Sequence, residues 1–108
     1  VTSTGGREAR IVVACELRVF LKPFRGNKML AGRAQNISSG GMFVACHDPI
    51  VPDSEVDIEI VLDELGTGAI KMMGWVAHAA DDGMGIQFDT SNMAINAELM
   101  HLIALLKT

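Results

Sequence analysis

Glu55-Val56-Asp57-Ile58-Glu59-Ile60-Val61-Leu62 alternates acidic and aliphatic side chains with a period of two. Successive side chains on a strand point to opposite faces, so this stretch reads as a strand with its acids in water and its aliphatics in a core. Upstream, Asp48, Pro49, Pro52 and Asp53 mark a loop, preceded by a short strand over Met42 to Cys46. Before that, Lys28 to Gln35 reads as a strand, and Gly26-Asn27 supplies the tolerance of positive φ needed by a turn from Pro23 to Asn27. Ile11 to Lys22 is dense in Val, Ile, Leu and Phe. Its Glu16 and Arg18 mark the wet face, and Val13, Cys15, Leu17 and Val19 the other.

Downstream, Gly66-Thr67-Gly68 turns the chain into a strand over Ala69 to Ala79. Strict alternation there puts Ile70, Met72, Val76 and His78 on one face and Lys71, Met73 and Trp75 on the other. Asp81-Asp82-Gly83 turns it again into Met84 to Phe88. From Ser91 the period becomes helical, with Ile95, Leu99, Leu102, Ile103 and Leu106 within about 100° of each other. Ser91 or Asn92 is the expected cap, and Lys107 suits the negative end of the helix dipole. Six short strands and one amphipathic helix predict a mainly β fold, an antiparallel six-stranded barrel with the helix laid against it. Met29, Met42, Met72 and Met84 are expected to fill gaps in its packing.

With 108 residues, 49 % of them hydrophobic and 20 % charged, the chain is sized for one domain. We expect a flexible basic segment over residues 1–10 and a barrel with its helix over 11–108. The longest uncharged apolar stretch, near Met72 to Ala80, falls far short of the roughly 20 residues that cross a bilayer. Val1 to Gly6 has no features of a secretory signal. No membrane insertion and a cytoplasmic setting are therefore expected, with Cys15 and Cys46 reduced.

The formal net charge of −4 hides an asymmetry. Residues 1–33 carry seven bases and two acids, a net of +5, whereas residues 34–108 carry two bases and eleven acids, a net of −9. An anion site built from the amino-terminal part on an acidic body suits a small anionic ligand and disfavours duplex DNA. Phe20, Phe24, Phe43, Trp75 and Phe88 are too scattered for a single-strand-binding aromatic platform. No catalytic nucleophile motif, zinc-protease motif or phosphate-loop lysine is present, so a non-enzymatic role without a cofactor or metal is expected. Asn36 and Ser38 alternate at a strand end, offering an amide and a hydroxyl on one side, and Gly41 leaves room for a ligand against the main chain. Arg7 and Arg10, just before the first strand, are donors suited to phosphate or to stacking on a base.

Together these residues resemble the PilZ domain family. The likeness rests on arginines before the first strand, on Asn-x-Ser-x-x-Gly at Asn36, Ser38 and Gly41, on Gly83-Met84-Gly85-Ile86-Gln87-Phe88, and on the closing helix. It runs from about Arg7 to Leu106. It implies a six-stranded barrel and a receptor module for cyclic di-GMP in bacterial second-messenger signalling. Asn36, Ser38 and Gly41 would meet a guanine and its phosphate, and Arg7 and Arg10 would wrap over the nucleotide. A protein partner or fused domain would read the result. The arginine pattern departs from the family's R-x-x-x-R: Arg7-Glu8-Ala9-Arg10 is one residue shorter, and with Arg10 in the second position the first falls on Gly6. A PilZ-like interaction module that binds no nucleotide is the alternative.

Overall fold

The computed structural model describes residues 10–26, 28–62 and 68–107. Arg7 and the rest of the expected arm before Arg10 lie outside them, as do Asn27 of the first expected turn and Gly66-Thr67 of the second. The elements are β1 (Ile11–Val12), β2 (Arg18–Pro23), β3 (Leu30–Ile37), β4 (Gly41–Ala45), β5 (Glu55–Val61), β6 (Ala69–Ala80), β7 (Gly83–Phe88) and α1 (Met93–Leu106). All pairings are antiparallel, in the order β1-β3-β2-β5-β6-β7-β4, and β4 returns to pair with β3. Six strands thus close a barrel, and β1 extends the edge of β3 beyond β2.

The β5 alternation is realised as written. Val56, Ile58 and Ile60 are buried, while Glu55 and Asp57 are exposed. Cross-strand neighbours continue each inward row, as in Leu21↔Ile58↔Met72 and Val19↔Ile60↔Ile70. Every such row removes apolar area from water, at about 25 cal/mol per Å². On α1, Leu99, Leu102 and Ile103 are buried in the same core. Asn92 caps the helix, its side chain accepting from the Ile95 N–H at 3.1 Å, and Lys107 stands at the other end. Both cysteines are free and half-buried. Burial, followed by the Asp48 carboxylate, pushes the Cys46 thiol up.

Three expectations need correction. The strand expected from Ile11 to Lys22 is broken in two. Val13 donates to the Gln35 carbonyl and Leu17 accepts from the Ala34 N–H, so residues 13–17 bulge away opposite only Ala34 and Gln35. Met29 is 57 % exposed rather than packed in the core, because β3 starts at Leu30 and alternation turns Met29 outward. His78 does not share the inward face of Val76. The register slips between them, with Val76 opposite Ile86 and His78 opposite Gly85. One extra residue, Ala77, turns His78 out of the core.

Two measurements check this packing. Leu99→Ala, at a site only 1 % exposed, should cost roughly 2 to 5 kcal/mol in urea unfolding; an unchanged midpoint would contradict the docking of α1. Trp75 is 38 % exposed on the face of Lys71. Its fluorescence should therefore be quenched by acrylamide in the native protein, whereas resistance to the quencher would contradict the register of β6.

Candidate functional site

Closure of the sheet places one outward row across five strands. The registers read Val12↔Asn36, Asn36↔Phe43, Phe43↔Gly85 and Gly85↔His78. Arg10, two residues before Val12, shares its side of the chain, and its Nη1 donates to Asn36 Oδ1 at 2.8 Å. The structure therefore joins the arginine segment to the Asn-x-Ser-x-x-Gly segment directly. A neutral amide oxygen orients the guanidinium while leaving its other N–H donors available.

The loop from Ser38 to Gly41 comes next. The Ser38 N–H donates to the Gly41 carbonyl at 2.8 Å, while Ser38 Oγ accepts from the Gly40 N–H at 3.3 Å and donates to the Gly41 carbonyl at 3.4 Å. Ser38 is 3 % exposed. Its hydroxyl braces the turn rather than standing free, as local side-chain bonding by serine commonly does. The Phe88 N–H donates to the Gly40 carbonyl at 2.9 Å, fastening the loop to β7. Gly41 has a reason internal to the barrel: a Cβ there would stand 2.3 Å from the Ile86 carbonyl oxygen. The missing side chain admits the neighbouring strand.

These elements border an open groove of about 750 Å³, within the size range of small-molecule sites. Arg10 and residues 38–41 form one side, His78, Gly85 and Gln87 the floor, and Asn96, Leu99 and Met100 of α1 the far wall. A Cβ on Gly85 would meet three atoms of the His78 ring at 2.4 to 2.9 Å, so the imidazole lies over that glycine. Phe43 stacks beside it, with centroids 6.3 Å apart and planes 29° apart. The His78 ring is thus an aromatic ledge in the groove, with Phe43 beside it but outside the groove's lining. Asn96 Nδ2 donates to the Thr90 carbonyl at 2.7 Å, tying the first turn of α1 to the loop after β7. Its Oδ1 is buried with no partner among the described residues.

Of the expected site residues, Arg10, Ser38 and Gly41 line the groove, and Asn36 stands beside it through Arg10. Arg7 lies outside the described residues. The basic amino-terminal block does not act as a unit: Arg18 and Arg33 border a different groove with Asp81 and Asp82. His78, Phe43, Gln87 and Asn96 were not among the expected residues. Only Gln87 left a signal, its polar place between Ile86 and Phe88.

The PilZ domain family model matches residues 6–105. No curated protein matches the sequence. Among solved structures, the PilZ domain of CeSA from a cellulose-synthesising bacterium superposes with a TM-score of 0.76 at 19 % identity, covering 93 % of this chain and 99 % of that one. The PilZ domain of YcgR from Escherichia coli, solved with c-di-GMP, gives 0.79 at 14 % identity, covering 94 % and 90 %. The inhibitor of motility MotI/DgrA of Bacillus subtilis gives 0.68 at 17 % identity, covering 89 % of this chain and 48 % of that one. At such identities the structural likeness carries the fold, and the family model carries the membership: this chain belongs to the PilZ domain family.

Proposed function

We propose that this PilZ domain is a non-enzymatic, cytoplasmic receptor for cyclic di-GMP in bacterial signalling, passing its state to a protein partner or fused domain. The observation that carries the reading is the Arg10–Asn36 hydrogen bond at the mouth of the groove. It sets a guanidinium, an always-charged phosphate ligand, beside a concave surface with an aromatic ledge. A cyclic dinucleotide offers what that surface asks for: phosphate charge for Arg10 and a flat base for the face of His78. The net −9 of residues 34–108 disfavours a long polyanion and tolerates a small one. No helix among the described residues is long and apolar enough to cross a membrane. In this reading a nucleotide that fixes the basic segment expected before β1 must outweigh roughly 1 to 2 kcal/mol per residue ordered, and the surface so formed is what a partner reads.

A second reading is an interaction module that binds no nucleotide. The observation favouring it is the Arg7-Glu8-Ala9-Arg10 spacing, one residue short of the family pattern.

Calorimetric titration with cyclic di-GMP, with linear GMP as control, separates the two. Arg10→Ala should weaken binding by about 10- to 150-fold, the loss of a charge-assisted contact, and more than Arg7→Ala does. His78→Ala should cost about 1 to 3 kcal/mol if the ring stacks on a base. Ser38→Ala should lower affinity by only about 0.5 to 1.5 kcal/mol, and it should also lower the unfolding midpoint because the hydroxyl braces its own turn. Any side chain at Gly41 should act first on stability, through the Ile86 carbonyl. No heat and no chemical-shift change at millimolar nucleotide would replace the receptor reading with the interaction module.

A further inference from the structure

The outer face of α1 has no role in the core, and of its residues Met100 alone also borders the groove. At 100° per residue, Ile95, Leu99, Leu102, Ile103 and Leu106 face the barrel. Opposite them, within about 120°, lie Met93, Ala94, Ala97, Met100, His101 and Ala104, all exposed, with Met93 at 84 % and Met100 at 52 %. Only His101 is polar. A surface helix ordinarily puts charged and polar side chains there; here Asn96 and Glu98 stand at the margins and the centre of the face is apolar.

Four of these residues recur with a pattern. Met93, Ala97, Met100 and Ala104 are spaced four, three and four apart, the seam spacing of helices that pack in pairs. Along the seam, large and small side chains alternate. We propose that this face joins two copies of the chain, with their α1 helices antiparallel about a two-fold axis between Ala97 and Met100. In that register Met93 meets Ala104 of the second copy and Ala97 meets its Met100, so every methionine knob enters an alanine hole. In-register parallel packing would set methionine on methionine and alanine on alanine, crowding one level and leaving a void at the next. An isologous contact must be self-complementary, and the antiparallel seam is.

The helix ends agree with this arrangement. Lys107, exposed at the C-cap, comes level with Thr90 of the second copy, next to its Asp89, and the two helix dipoles oppose. The core lies on the opposite side of the helix, against Leu99, Leu102 and Ile103. A contact made by one 14-residue helix from each copy is small beside the roughly 1,200–2,000 Å² buried by stable complexes, so weak association is expected, in the micromolar range or above. Apart from Met100, which also borders the groove, the inference rests on residues that the nucleotide reading does not use, and Ala97→Lys tests it away from the groove.

Sedimentation of the full chain from about 1 µM to several hundred µM should show monomer passing to dimer with rising concentration. Ala97→Lys and Met100→Glu, both at exposed positions, should each leave a folded monomer across that range, with circular dichroism confirming the fold. An equimolar mixture of the two should regain dimer, because the antiparallel register pairs Lys with Glu once per heterodimer. A wild-type chain that stays monomeric throughout would overturn the proposal and leave the face to another protein or to further sequence of a longer chain. A dimer indifferent to both substitutions would overturn it by placing the contact elsewhere. Single variants that are monomeric but do not recover on mixing would overturn the antiparallel register.

Discussion

The antiparallel pairing of β3 with β4, Ile37 opposite Met42 and Asn36 opposite Phe43, closes the sheet on itself, and the chemistry of the outer surface follows from that register. Ile37 and Met42 belong to an inward row that continues through Ile86 and Val76, all of them buried. With the row below thus fixed by the core, the row above must face outward. That outward row starts with Val12, passes Asn36 and Phe43 and ends on His78. Arg10 reaches Asn36 only because β1 pairs with the same end of β3. A slip of one residue at closure would turn this surface inward and separate the arginine from its partner.

Two glycines show how a motif position can answer to the fold as well as to a ligand. At Gly41 the Ile86 carbonyl occupies the space of a side chain, so the glycine is what lets β4 and β7 approach. At Gly85 the space is taken by the His78 ring, which covers the bare backbone and gains a flat resting place. Gly41 would be required in a barrel that bound nothing, whereas at Gly85 only an exposed side chain would have to move. The Asn-x-Ser-x-x-Gly segment is accordingly strong support for closure of the barrel. The argument for a ligand rests more heavily on Arg10, whose charge the fold has no need of.

The same distinction explains what could be read in the sequence. Alternation in β5 and β6 fixed the inward set because a core tolerates no polar residue at Ile58, Ile70 or Met72, and the helical period of Ile95, Leu99, Leu102 and Ile103 was legible for the same reason. Asn36, Ser38, Gly41 and Arg10 were legible by family resemblance, and their meeting was a matter of register. Bulges were not legible. An added residue at Ala77 leaves no compositional mark, yet it moves His78 from the expected core face into the groove, and the bulge over residues 13–17 likewise hides in a run of apolar side chains. Asn96 joins the site from a distant segment, and Phe43 supports the His78 ring, through contacts that periodicity does not reveal. The outer face of α1 carries the weaker signal, because its alanines are small beside the leucines and isoleucines of the stripe that faces the core.

The groove is consequently built from two kinds of wall. Strands β4, β6 and β7 are each paired on both sides, the β6–β7 ladder stepping once at Ala77, so the loop from Ser38 to Gly41 and the His78 ledge share the rigidity of the barrel. The opposite wall is one helix held by the burial of Leu99, Leu102 and Ile103, each contributing about 1.5 to 3 kcal/mol, and by short polar ties at Asn92 and Asn96. Elements held by fewer contacts open at lower free energy than the core they rest on. Leu99 belongs to both the core and the groove, and Met100, one residue on, belongs to both the groove and the outer face of α1. A small displacement of this helix would therefore be felt at once in the groove and on its exposed side, while Asn36, within β3, stays fixed by the barrel.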